Sequence, residues 1–185
     1  HSRQSGDVTD RGEYRHFMQK EIHEQPRAVA DTLEGRISGD RVLEETFGSQ
    51  AHGLFNQTRA VQIIACGTSF HAGLVAKHWL EYIGIPCEVE VASEYRYRRH
   101  APRPGTLVVT ISQSGETADT LAALEEAKCQ DIVGSMVICN VPESSLVRAS
   151  DLTFMTHAGP EVGVAATKTF RSEERRVGKE CRSRW

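Results

Sequence analysis

An apolar run, Thr106-Leu107-Val108-Val109-Thr110-Ile111, passes without a break into Ser112-Gln113-Ser114-Gly115-Glu116-Thr117, and Ala118 to Lys128 then reads as a helix. A short apolar run bounded by turn residues predicts a buried strand, so the hydroxyl-rich segment stands where a strand stops and a helix starts. Ser112, Ser114 and Thr117 each bring a hydroxyl donor, and Gly115 lets backbone approach a ligand closely. The first turn of a helix has unpaired N–H groups and a partial positive charge. Such a corner suits a phosphate dianion without any Lys or Arg. Taken singly, each residue has a plainer use, since serines cap helices and glycines turn chains.

The same arrangement occurs earlier in the chain, which weighs against the plainer use. Ala60-Val61-Gln62-Ile63-Ile64-Ala65 predicts a second buried strand, followed by Cys66-Gly67-Thr68-Ser69. An amphipathic helix is expected from about Phe70 to Ile83, with Leu74, His78, Tyr82 and Val75, Trp79, Ile83 at helical spacing. Two such corners can converge at the carboxyl edge of a parallel, doubly wound sheet, the edge at which open sheets bind ligands. Ser69, Ser112 and Ser114 are therefore expected to meet there, in an α/β domain whose sheet runs from about residue 60 to 157. Neither corner continues into Gly-Lys-Ser/Thr and neither has the three-glycine dinucleotide spacing, so the expected ligand is a phosphorylated small molecule rather than a nucleotide.

Charge and cysteine usage narrow the partners. Residues 171–185 hold six Lys or Arg against three Glu, which leaves 16 basic against 22 acidic groups in the first 170 residues. A body of that balance has no basic face for nucleic acid. Cys66, Cys87, Cys129, Cys139 and Cys181 form no CxxC pair and are irregularly spaced, so neither a metal site nor a cofactor is expected. Their odd number and core-like settings fit reduced thiols in the cytoplasm. No signal peptide, lipidation motif or membrane-spanning run is evident. The start at His1 reads as that of a piece of something longer.

The remaining sequence divides into four parts. Residues 1–12 read as an interdomain linker, and residues 13–58 as a helical lead-in. Within the lead-in a helix is expected from Tyr14 to Gln25, with Pro26 either breaking it or opening a second helix toward Leu33. Residues 35–58 read as short helix and loop. The α/β domain spans 59–170, with further strands at Pro86–Val91, Gly134–Cys139 and Leu152–Met155. A short helix capped by Ser93 is expected over Ser93–Arg99, its basic residues on a solvated face. Gly163–Lys168 reads as a loop entering another helix, which the domain does not complete. Residues 171–185 offer no apolar face and are set aside as an extension or sequence-end artefact that packs against nothing.

Three segments together resemble one family. They are Tyr14-Arg15-His16-Phe17-Met18-Gln19-Lys20-Glu21-Ile22-His23-Glu24-Gln25-Pro26, Cys66-Gly67-Thr68-Ser69, and Ser112-Gln113-Ser114-Gly115-Glu116-Thr117-Ala118-Asp119-Thr120. Cys139-Asn140-Val141-Pro142 with Ser144–Arg148, and Glu161-Val162-Gly163-Val164-Ala165-Ala166-Thr167-Lys168, add to them. The chain is similar, over roughly residues 8–170, to the isomerizing glutamine–fructose-6-phosphate aminotransferases, also called glucosamine-6-phosphate synthases. The Ser-rich corner alone would indicate only the wider sugar isomerase (SIS) class; the Met18–Ile22 segment singles out the aminotransferase.

The resemblance implies an interdomain segment and first SIS domain, with a sheet flanked by helices and preceded by a helical segment. It implies a parent homo-oligomer in which a glutaminase domain supplies ammonia to two SIS domains that turn fructose 6-phosphate into glucosamine 6-phosphate. By position, Ser69, Ser112, Gln113, Ser114 and Thr117 match phosphate-binding residues, and Cys66, Gly67, Thr68, Val164 and Ala166 match sugar-lining ones. The family usually has Ser where Ala166 stands, so one sugar hydrogen bond is missing or made by backbone. The catalytic Glu, His and Lys belong to the second SIS domain and the carboxyl terminus, outside this sequence, so the piece alone is expected to be inactive. Glu116 is expected to be a helix-N1 residue favoured by the dipole, not a base, and His71 and His78 ordinary helix residues. The alternatives are a one-domain phosphosugar isomerase, a non-catalytic phosphosugar sensor and, last, a purely structural domain.

Overall fold

The computed structural model describes residues 10–163 and 166–170. The expectations for the tail, for most of the linker and for Val164 fall outside those residues. A lead-in of helix α1 (Phe17–Leu33), a small hairpin of β1 (Ile37–Ser38) and β2 (Arg41–Val42), a 3-10 turn (Glu44–Phe47) and α2 (Ala51–Gln57) comes first. Strands and helices then alternate: β3 (Ala60–Ala65), α3 (Gly67–Tyr82), β4 (Cys87–Val91), α4 (Ala92–Tyr95), β5 (Thr106–Ser112), α5 (Ala118–Lys128), β6 (Gly134–Cys139), α6 (Ser145–Ala149) and β7 (Leu152–Met155).

Strands β3 to β7 form one parallel sheet in the order β4-β3-β5-β6-β7. The chain winds outward from β3 to β4, then returns past β3 and winds the other way through β5, β6 and β7. The order therefore reverses between β3 and β5, where a doubly wound sheet opens its crevice. β5 is central and buried along its whole length, which is why it reads as an uninterrupted apolar run. Its alternate residues serve two cores: Leu107, Val109 and Ile111 pack with α2 and α3 residues such as Ala51, Ala76 and Leu80, and Val108 packs with Ala123, Leu124 and Ala127 of α5.

Several local expectations change. Pro26 neither breaks α1 nor starts a second helix; it lies inside one helix of 17 residues. Tertiary ties hold that helix on both sides of the proline: Glu21 accepts hydrogen bonds from Val162 and Gly163, and Thr32 Oγ1 donates to the Thr156 carbonyl. Helix α3 buries only part of the face its large apolar residues suggest, with Ile83 packed against the core. Leu74 and Tyr82 are exposed, and the buried stripe is Ser69, Ala72, Gly73, Ala76 and Leu80. Small residues let this helix sit close on the sheet; a Cβ at Gly73 would come within 3.0 Å of both Ile63 and Val89. Helix α4 starts at Ala92, directly on the end of β4, with Val91 rather than Ser93 at its cap position. The basic residues after it are partly paired, with Arg96 2.8 Å from Asp119 and Arg98 3.8 Å from Glu90.

Candidate functional site

Strand register brings the two corners level. Ala65 pairs with Ile111 and Ser112 with Cys139, so Cys66 and Ser112 leave adjacent strands at the same height of the sheet. A cavity of about 510 Å³ opens there, at the reversal of strand order. Cys66, Gly67, Thr68 and Ser69 form one wall, and Ser112, Gln113, Ser114 and Thr117 another. Glu161, Gly163 and Ala166 of the loop after β7 complete it. Nine of the ten residues singled out from sequence thus share one cavity; Val164 is outside the described residues.

The β5–α5 corner is internally braced. The Gly115 N–H donates to Ser112 Oγ (3.0 Å), which also lies 3.3 Å from Thr117 Oγ1, and the Glu116 N–H donates to Ser114 Oγ (3.2 Å). A hydroxyl has one proton and two lone pairs. Once Ser114 Oγ accepts from backbone, its oxygen is fixed while its own proton can still be donated to a ligand. Thr117 occupies the N-cap position of α5 without a side-chain cap bond, and Cys66 does the same for α3. No side chain at either cap competes for the first-turn N–H groups, which is the electrostatic setting an anion favours.

Gly115 has φ +67°, a left-handed conformation, and a Cβ there would overlap the Ser144 side chain and come within 2.8 Å of Cys139 Sγ. Glycine at this position is required by both backbone and space. Glu116 departs from its expected place: it precedes α5 and reaches instead to α6, where Oε1 accepts the Ser145 N–H at 2.7 Å. Hydrogen bonding from the Ser145 side chain and backbone holds this carboxyl below its ordinary range, so it is an ionised cap and not a proton donor near neutral pH.

Three residues around the cavity fall within the quoted motifs but are given no role by them. Thr120, fully buried on α5, places Oγ1 3.9 Å from Cys66 Sγ and so joins the two corners. Its only signal was the place three residues after Thr117, on the same helix face. Glu161 Oε1 accepts the backbone N–H groups of Thr167 (2.7 Å) and Lys168 (3.1 Å), folding the third wall on itself. Glu21 holds that wall from outside. No group of His, Cys, Asp or Glu among the described residues could hold a metal ion. A smaller cavity, about 170 Å³, lies at the amino ends of β3, β4 and β5, where Arg103 and Glu88 (3.5 Å) and Arg98 and Glu90 (3.8 Å) form ion pairs.

The sequence profile described as SIS domain matches residues 54–173, well over half of the chain. The chain belongs to the SIS domain family. The chain is 62% identical over 171 residues to glutamine–fructose-6-phosphate aminotransferase [isomerizing] of Pseudomonas aeruginosa. That alignment covers 92% of this chain but 28% of the relative's length. Among solved structures, the C-terminal domain of glucosamine-fructose-6-phosphate aminotransferase from Francisella tularensis superposes with a TM-score of 0.86 at 50% identity, over 92% of this chain and 48% of that one. A phosphosugar isomerase so described from Silicibacter pomeroyi gives 0.73 at 26% identity, over 91% and 51%. The SIS domain's strand-to-helix corners are thus set in a fold shared well beyond the aminotransferases. No helix among the described residues is long and apolar enough to cross a membrane.

Proposed function

We propose that this chain is the phosphosugar-binding part of an enzyme that converts fructose 6-phosphate and glutamine into glucosamine 6-phosphate and glutamate. The observation that carries the reading is the single cavity at the strand-order reversal, walled by both hydroxyl-rich corners and two helix N-termini. Ser69, Ser112, Gln113, Ser114 and Thr117 take the phosphate through hydroxyl, amide and backbone donors, bonds strengthened by the charge of the oxyanion. Cys66, Gly67, Thr68, Val164 and Ala166 line the sugar. Residues 59–170 act as the first SIS domain and 13–58 as its lead-in. The names of the relatives support the aminotransferase, and the chain's share of their length leaves room for the glutaminase domain and second SIS domain that the reaction needs. The parent enzyme works as a homo-oligomer in the cytoplasm.

Anchoring one end of an open-chain sugar phosphate leaves its reactive carbons free for groups on another domain, so this chain holds the substrate and does not turn it over. Calorimetry with fructose 6-phosphate, glucosamine 6-phosphate, fructose and inorganic phosphate tests the assignment. The two sugar phosphates should bind and fructose should not. Replacing Ser114 by Ala should remove one charge-assisted bond, worth about 1.5–3 kcal/mol or tenfold and more in affinity. Equal binding of fructose and fructose 6-phosphate, or an unchanged affinity in Ser114→Ala, would overturn the phosphate assignment.

A further inference from the structure

We propose that Glu21, on the lead-in helix α1, is a positioning residue for the sugar side of the cavity, holding Val162 and Gly163 at the wall where a bound sugar meets it. The inference rests on the phosphosugar reading of that cavity. Glu21 is 3% exposed, and a carboxylate is seldom buried so fully without partners. Its partners are backbone N–H groups 141 and 142 positions along the chain: Val162 N–H donates to Oε1 at 2.6 Å, and Gly163 N–H to Oε1 at 3.0 Å and Oε2 at 3.3 Å. Three residues on, and so on the same face of α1, Glu24 Oε2 meets Lys168 Nζ at 2.8 Å, with the lysine side chain 6% exposed. Two acids of one helix therefore hold Val162 and Gly163 on the one hand and Lys168 on the other.

Gly163 and Ala166 line the cavity beside Glu161. Glu161 is itself tied to the Thr167 and Lys168 N–H groups. Glu21 fixes Val162 and Gly163 with charge-assisted bonds. The phosphate corner is braced separately by its own hydrogen bonds and by Ser144 and Cys139, and it touches nothing on α1 among the described hydrogen bonds. Loss of Glu21 should consequently act on the sugar and spare the phosphate. A role in overall stability alone would not divide the ligand in this way.

The test is binding by the whole 185-residue chain and its Glu21→Ala and Glu21→Gln variants, with fructose 6-phosphate and inorganic phosphate as probes. Glu21→Ala should lower fructose 6-phosphate affinity tenfold or more and leave inorganic phosphate within about twofold. Glu21→Gln retains a carbonyl acceptor for the two N–H groups and should recover most of the loss. Unchanged fructose 6-phosphate affinity, or an equal loss for both probes, overturns the positioning role. Failure of the unsubstituted chain to bind either probe overturns the phosphosugar reading instead. Should Glu21→Ala not fold, amide exchange in the unsubstituted chain decides: Val162 and Gly163 should be protected well beyond unstructured amides, and rapid exchange of both would end the proposal.

Discussion

At residue 115 a Cβ would run into Ser144 and Cys139, whereas at residue 67 it would meet nothing within 4 Å. Both glycines turn a buried strand into a helix, and both have positive φ, +67° and +58°. The β5–α5 corner is enclosed: Ser112 and Ser114 accept its own N–H groups, and Glu116 ties it to the start of α6. The β3–α3 corner is open, its Gly67 exposed, and a 3.9 Å contact runs from Thr120 to its Cys66. Similar residue types thus give a preformed cradle in one place and a looser wall in the other. The neighbours differ: β5 is flanked on its far side by the interior strand β6, and β3 by the edge strand β4.

The strongest way to break the comparison is Gly115→Ala. A left-handed alanine and an overfilled site together should cost about 2–5 kcal/mol, visible as a lower denaturation midpoint in urea at unchanged slope. Gly67→Ala faces only the backbone penalty, about 1–2 kcal/mol, because there is open space for its methyl group. If the two substitutions destabilise equally, the contrast between an enclosed and an open corner is wrong.

The smallest effect expected is on pH dependence. The carboxyl of Glu116 is lowered from its ordinary 4.5 by the Ser145 hydrogen bonds. A depressed folded pKa means that its contribution is complete above about pH 4.5 and is lost as the pH falls through the folded value. The group is exposed, so the effect is modest. Acid unfolding followed by circular dichroism should show a shallower loss below that pH in Glu116→Gln than in the unsubstituted chain, and identical acid limbs would show that this bond between the corner and α6 is immaterial.

Much of the sheet could be read along the chain. Burial on both faces makes β3, β5 and β6 continuous apolar runs, and the hydroxyl-rich segments mark where two of them end. The inward face of α3 could not be read in the same way. Leu74, His78 and Tyr82 have helical spacing, but the surface they would have to pack on is already approached closely by Ala72, Gly73 and Ala76. Hydrophobic size favoured one stripe, and the spacing between helix and sheet selected the other.

Order along the chain was enough to establish a parallel α/β domain with two hydroxyl-rich corners, because strand burial and strand-to-helix turns are local patterns of two to ten residues. Placement needed the folded molecule. The strand order β4-β3-β5-β6-β7 put the corners side by side, and the register between Ala65 and Ile111 put them level. Glu116 looked like the start of α5 and became the cap of α6; Pro26 looked like a boundary and became the interior of α1. Glu21 and Glu161 bond backbone of the cavity's third wall, a role their own motifs do not reveal. Their partners are backbone N–H groups, which every residue but proline possesses, so only proximity in space singles them out.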